Sequence, residues 1–180
     1  MDWDEHFAAG QAPHDPSPPL PEAVSGIAPG VALDLACGAG RHALFLAERG
    51  WRVLALDASR AGISRLEEEA DRRGVAHLVR TGIADLESPT FEVEGEFDLV
   101  CDFYFLHRPL FAQARRALRP GGLFVAALHV RREDTGRFLL EPGELRSLFG
   151  DWEILLHREG QSVQPGHRHA VAELIARKPA

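Results

Sequence analysis

The residues best suited to chemistry lie in one stretch, Asp34-Leu35-Ala36-Cys37-Gly38-Ala39-Gly40-Arg41, where a short apolar run gives way to a glycine loop. Gly38 and Gly40 let the backbone turn tightly and approach a ligand with no Cβ in the way. Asp57 closes the next apolar run, where a carboxylate accepts both ribose hydroxyls of an adenosine group. These features alone suit two kinds of ligand, because Gly38-Ala39-Gly40-Arg41-His42-Ala43 also satisfies the G-x-G-x-x-G/A dinucleotide fingerprint. Asp34 separates them: just ahead of the glycines it repels a diphosphate but favours a sulfonium with a free ammonium group. Asp85, in Gly82-Ile83-Ala84-Asp85-Leu86, ends a third run and is in place to reach the exocyclic amine of adenine, or else to cap a turn.

A second group of residues is cationic. His107-Arg108 follows the fourth apolar run, Arg131-Arg132 the fifth, and His167-Arg168-His169 precedes the last. All fall at one end of a parallel sheet if the last strand is reversed, and His6 joins them if the N-terminal arm folds over. Such a rim suits an anionic acceptor, with a histidine as general base. The candidates are His107, Arg108 and His169 for catalysis, and His6, Arg131 and His167 for substrate. The competing reading is that nine histidines must stand somewhere, mostly in water. No metal is expected, since His167 and His169 lack a matching Cys or His pair at zinc-ligand spacing.

These side chains need a frame, and the apolar periodicity supplies one. VALDLA reads as a buried strand, and GAGR opens a helix over HALFLAERG that Gly50 closes. WRVLALD is a second strand, followed by a helix over SRAGISRLEEEADRRG with Ser59 as its N-cap. HLVRTGIAD and EFDLVCDF supply the third and fourth strands. RPLFAQARRALRPGG is a helix stopped by Pro120 and its glycines, LFVAALHV a fifth strand, and PGELRSLFG a short helix with Pro142 in its first turn. WEILLHRE and AVAELIARK lie too close for a helical crossover, so they form an antiparallel hairpin at the sheet edge. The alternation makes an α/β fold, a parallel sheet covered by helices on both faces.

Residues 1–29 differ from the rest. Asp2 to Phe7 fits a helical turn, and HDPSPPLPEA, with four of the chain's 12 prolines, reads as extended chain, either a leader or an arm over the body. The expected organisation is an arm and candidate lid over 1–29 and one domain over 30–180.

Composition narrows the function classes. The 180 residues are 45% hydrophobic and 26% charged, the balance of one soluble globular domain. A formal net charge of −7 disfavours a nucleic-acid partner. Cys37 and Cys101 form no CxxC pair, which points to a reduced intracellular setting. The N-terminus lacks the basic and apolar regions of a signal peptide, and no apolar run approaches the roughly 20 residues that span a bilayer. The expectation is a cytoplasmic protein.

The set DLACGAGRHALFLAERG, VLALDAS, GIADLE, FDLVCDFYFLHRPLF and ALRPGGLFV resembles the class I S-adenosylmethionine-dependent methyltransferases, from about Val31 to the end of the chain. Ala36 departs from the family pattern by standing at the first glycine of its first motif. The resemblance implies a Rossmann-like doubly wound seven-stranded sheet, mostly parallel with an antiparallel last strand, S-adenosylmethionine as cofactor, and a small-molecule acceptor. It places Asp34 near the methionine ammonium group, Ala36, Gly38, Gly40 and Arg41 along the glycine loop, and Asp57 on the ribose. Ala58 and Ser59 then flank the adenine, Ala84 and Asp85 lie at its edge, and the loop from Asp102 and Phe103 to His107 lies beside the methyl group. Trp3-Asp4-Glu5, the Pro-Ser of HDPSPPL, Gly40-Arg41-His42, Leu106 to Phe111 and Arg137-Phe138-Leu139-Leu140 resemble the tellurite-resistance methyltransferase group, whose name implies a chalcogen oxyanion acceptor.

Two other functions fit the same residues. A nicotinamide-dependent oxidoreductase would use the glycine loop and Asp57, but Asp34, the ALRPGG turn and the edge hairpin oppose it. A non-catalytic nucleotide-binding protein would keep the fold without turnover. Locally, Asp102 is equally suited to helix capping, and Phe103, Tyr104 and Phe105 to core packing.

Overall fold

Runs of alternating strand and helix patterns build one sheet of seven strands. They are β1 (Val31–Leu35), β2 (Arg52–Asp57), β3 (Val79–Ile83), β4 (Phe97–Phe103), β5 (Leu118–Val130), β6 (Glu153–Gln161) and β7 (Ala170–Arg177). The helices are α1 (Trp3–Ala8), α2 (Pro19–Val24), α3 (Arg41–Ala47), α4 (Arg60–Arg72), α5 (Pro109–Ala117) and α6 (Glu144–Leu148). This computed structural model describes residues 3–9, 14–131, 138–161 and 170–180.

The strand order is β3-β2-β1-β4-β5-β7-β6. β1 pairs in parallel with β2 and β4, whereas β7 runs antiparallel to both β5 and β6. The order reverses between β1 and β4, which is where ligands bind in open α/β sheets, at the carboxyl ends of the strands. Alternate residues of each strand feed two cores. Ala32, Leu99, Val125 and Ile175 face α2, α3 and α4, while Leu33, Val100, Phe124 and Leu174 face α5 and α6. Phe124 and Phe149 stack at 4.4 Å in the second core. Each fully buried side chain of this size stabilises by about 1.5–3 kcal/mol.

α4 shows how local sequence sets an element. Ile63, Leu66 and Ala70 form its buried stripe, and the Ser59 hydroxyl accepts from the Gly62 amide at 3.0 Å as the expected N-cap.

Three local expectations are corrected. The Pro-rich segment is not extended throughout: PLPEAV is α2, with Pro19 and Pro21 in the first turn, where amides have no helical partner in any case. Leu20, Ala23 and Val24 of α2 are buried in the first core, so this part of the arm belongs to the body. The helix before β5 stops at Ala117, and Leu118 already pairs with Phe97, the extra residues being absorbed by a register shift before Leu99. Pro142 precedes α6 rather than opening it, and Gly143, at φ 77°, is the N-cap.

Candidate functional site

The carboxyl ends of β2, β1 and β4 set three carboxylates in a row. Asp57 ends β2, Asp34 is the penultimate residue of β1, and Asp102 lies near the end of β4, with Asp34 opposite Ala55 and Cys101 and Asp102 opposite Leu35. Asp57 orders the glycine loop: it accepts from the Gly38 amide at 2.7 Å and from the Ser59 amide at 2.7 Å. A carboxylate has about four acceptor positions, so its remaining lone pairs can still take ribose hydroxyls.

Asp34 and Asp102 are each only 1% exposed. Asp34 Oδ1 accepts from the Cys101 thiol at 3.5 Å, but Asp34 Oδ2 and Asp102 Oδ1 have no hydrogen-bond partner among the described residues. Burial lifts the Asp34 carboxyl to about 7, against the Cys101 hydrogen bond, with the Asp57 charge adding to the rise. Burial likewise pushes Asp102 up, helped by Asp34. Buried anions of this kind are stable only beside a cation. The donor set therefore fits a compact ligand carrying ammonium or sulfonium charge, as in S-adenosylmethionine.

The glycines have a second job. A Cβ on Gly38 would lie 2.5 Å from Phe7 Cζ, and one on Gly40 would lie 2.2 Å from Leu66 Cδ1. Close packing of α1 and α4 against the loop, rather than ligand approach alone, excludes side chains there. α1 is anchored by Asp4, whose Oδ1 accepts from the Ser59 hydroxyl at 2.5 Å and from the Ala61 amide at 3.0 Å, and by Arg65, which donates to the Phe7 carbonyl. Ala36, at φ 54°, adopts the left-handed conformation that glycine takes without strain.

The remaining expected residues divide. Ala58 is exposed and Ser59 buried beside Asp57, and the Ala84 amide donates to the Asp57 carbonyl at 2.9 Å. Asp85 is exposed and its Oδ1 accepts from the Glu87 amide, the turn-capping alternative. Phe103 is buried and stacks on His42 at 3.9 Å. Arg41 donates to the Asp15 carbonyl and the Ser17 hydroxyl at 3.2 Å each, while its charge still acts on Asp34. His6 packs edge-on to Trp3 and Phe7 within α1. His107 sits half-buried where the chain enters α5.

In the described part of the cationic rim the guanidinium groups are paired. Arg108 makes two hydrogen bonds to Glu144, at 2.6 and 2.8 Å, and Arg131 pairs with Glu141 at 2.9 Å. His167 and His169, with Arg132 and Arg168, lie outside the described residues. Among the described residues no cluster of His, Cys, Asp and Glu could hold a metal ion, and no helix is long and apolar enough to cross a membrane.

One polar node beside the site joins Ser17 and His42, whose contact no local pattern marks. The His42 imidazole is buried and kept neutral by burial and the nearby Arg41 charge. Its Nε2 accepts from the Ser17 amide at 3.2 Å and lies 3.1 Å from the Ser17 hydroxyl. The node thus pins the Pro-Ser segment to the start of α3.

A family model described as a methyltransferase domain matches residues 32–122, the span from β1 through the turn into β5. The chain belongs to the methyltransferase-domain family. Among its relatives, this methyltransferase-family chain is 31% identical over 148 residues to "Hemagglutinin 1" of Eikenella corrodens, covering 77% of the chain and 49% of that protein. It is 24% identical to a "Probable S-adenosyl-L-methionine-dependent methyltransferase TehB" of Haemophilus influenzae, over 84% of the chain and 58% of that protein. The chain therefore spans about half the length of these curated relatives.

Solved methyltransferase structures share the fold. TehB from Haemophilus influenzae superposes with a TM-score of 0.82 at 20% identity, over 98% of this chain and 67% of that one. The Burkholderia thailandensis 1,6-didemethyltoxoflavin-N1-methyltransferase, solved with 1,6-didemethyltoxoflavin and S-adenosylhomocysteine bound, gives 0.69 at 21% identity, over 91% and 77%. In this methyltransferase domain the three carboxylates lie along the switch point that the shared fold uses for ligands.

Proposed function

We propose that the chain binds S-adenosylmethionine along the carboxyl ends of β2, β1 and β4 and transfers its methyl group to a small-molecule acceptor. The observation that carries this reading is the buried pair Asp34 and Asp102, each with a carboxylate oxygen that has no partner among the described residues. Family membership supports the same cofactor.

The cofactor supplies an activated methyl group on a sulfonium centre, so the chemistry is a displacement that needs no metal. What the chain contributes is position, charge and exclusion of water. Asp34 and Asp102 would face the cationic end, Asp57 the ribose, and Ala58, Ser59 and Ala84 the adenine, with Asp85 at its edge. α1, anchored through Asp4 and Phe7, would act as the lid that closes the adenosine side. The net charge of −7 supports a small acceptor over a nucleic acid. Tellurite, selenite and small thiols are the first acceptors to test, with His107, His167 and His169 as the histidines on the acceptor side. The free thiols Cys37 and Cys101 support a cytoplasmic location.

The test is calorimetric titration with S-adenosylmethionine, S-adenosylhomocysteine and NAD in parallel. Binding of the first two without the third is expected. Binding of NAD alone would make the chain a dinucleotide enzyme, and no binding by folded protein would favour a scaffold that has lost its ligand.

A further inference from the structure

Beyond Asp102, the carboxyl end of the sheet carries a second pair of side chains with no role so far. Tyr104 leaves β4 at φ 65°, a left-handed backbone that bulky residues avoid and that tends to be kept where function over-determines it. Its amide is held in that position by the Ala127 carbonyl of β5, at 2.8 Å. From there its ring meets the His129 imidazole with centroids 5.1 Å apart, and the Arg41 guanidinium stands 5.6 Å over it. Its hydroxyl is hydrogen-bonded by the side chains of Ser17 and Arg41. His129 lies in β5 two residues past Ala127 and is half-buried, as is Tyr104, so neither is a sealed core residue nor a free surface one. The charged groups acting on Tyr104 include Arg41 from α3 and Glu173 from β7.

Position along the sheet gives the pair its meaning. Reading across the carboxyl ends from β2 to β5, the order is Asp57, Asp34, Asp102, then Tyr104 and His129. A ligand laid with its ribose at Asp57 and its cationic end toward Asp34 and Asp102 would end beside Tyr104 and His129, which continue the row.

We propose that Tyr104 and His129 form the acceptor end of the site, shaped for a small thiol or phenol whose attacking atom carries a weakly acidic proton. This rests on the cofactor reading above. His129 takes the proton, and the Tyr104 hydroxyl, fixed by Ser17 and Arg41, orients the acceptor. The acceptor lone pair forms the bond to the methyl carbon, the carbon–sulfur bond breaks with its electrons going to the departing thioether sulfur, and the acceptor proton passes to the imidazole and then to water. A strained, doubly anchored tyrosine beside a half-buried histidine is costly as mere packing, and an acceptor pocket accounts for both.

The probe is phenylmethanethiol, an alkyl thiol that keeps its proton at neutral pH, with turnover read as S-adenosylhomocysteine formed. S-adenosylmethionine affinity is measured first by calorimetry for the wild type, His129→Gln and Tyr104→Phe. Both variants are expected to keep it. His129→Gln should lower kcat for the probe by about 100-fold and remove the acid limb of the kcat profile. Tyr104→Phe, which keeps ring and backbone, should raise KM for the probe by roughly tenfold, the loss of one hydrogen bond. Independently of turnover, the probe should shift the His129 ring signal in NMR spectra of the wild type loaded with S-adenosylhomocysteine. A wild type that fails to bind S-adenosylmethionine removes the cofactor reading itself. Cofactor binding with an unmoved His129 signal, or with kcat and the acid limb intact in His129→Gln, overturns the acceptor assignment alone.

Discussion

The ring of Phe7 occupies the space that a side chain on Gly38 would need, with its Cζ 2.5 Å from the ideal Cβ position. The first helix and the glycine loop are thus fitted to one another, and a substitution at one should be felt through the other. Gly38→Ala meets two costs, the left-handed backbone at φ 55° and the collision with Phe7. The first is worth about 1–2 kcal/mol and the second a further 1–3 kcal/mol of overpacking. In a Phe7→Ala background only the first remains. Urea unfolding of the four proteins in a double-mutant cycle should show a coupling of about 1 kcal/mol or more. Additive costs would mean that α1 does not pack on the loop.

Ala36 is expected to be a site where glycine is better than the natural residue. At φ 54° an alanine is strained by about 1–2 kcal/mol, and glycine returns part of that to the unfolded chain as entropy. Ala36→Gly should stabilise by about 0.5–1 kcal/mol and raise Tm by roughly 1–4 °C. A lower Tm would show that the Ala36 methyl group makes packing contacts that outweigh the strain.

The buried Asp34 makes stability depend on pH in an identifiable direction. Its native carboxyl holds its proton up to about 7, whereas in the unfolded chain it ionises near 4. Between these values the native state binds more protons than the unfolded one, so stability falls as pH rises through this window. Asp34→Asn removes the penalty. The ligand-free variant should match the wild type near pH 4 and exceed it above pH 7, by on the order of 4 kcal/mol. It should at the same time lose the stabilisation by S-adenosylmethionine seen in thermal scans of the wild type. A variant less stable than the wild type at high pH would show that the charge is already compensated.

Arg108 is predicted to act as a brace between the start of α5 and the start of α6. Its guanidinium is committed to Glu144 and to the Leu139 carbonyl. Arg108→Gln should cost about 0.5–1 kcal/mol, the range for a well-formed surface ion pair. Cofactor affinity and the kcat of a supported acceptor should be unaltered. A large fall in kcat with stability intact would return Arg108 to the chemistry.

What sequence could show follows from how far apart the interacting residues lie. Strand ends, the Ser59 cap and the carboxylates Asp34 and Asp57 were legible because each rests on a local pattern within a few residues. The edge hairpin was legible because its connection is too short for anything else. Hidden were the contacts between distant segments: Ser17 with His42 across 25 residues, and Arg108 with Glu144 across 36. The second pair is why Arg108, read in the sequence as part of a free cationic rim, is paired in the structure. α2 was missed for a different reason, since prolines read as helix breakers until their place in the first turn is known. Tyr104 was legible only within the aromatic run after β4, as suited to core packing as to a ligand, and His129 carries no signal in residue type or spacing. Their association comes from one unusual backbone angle and the pairing of β4 with β5.

The place of β7 between β5 and β6 has a consequence for how the chain is made. On the ribosome β6 leaves the exit tunnel before β7, so for an interval of seconds, at roughly 5–20 residues per second, β5 offers an apolar edge with β6 at hand and β7 absent. Direct pairing of β5 with β6 would close the sheet one strand short, and it must come apart before residues 170–177 can insert. The nascent protein therefore depends on this premature pairing staying weak, or on a chaperone that shields the β5 edge until the missing strand arrives.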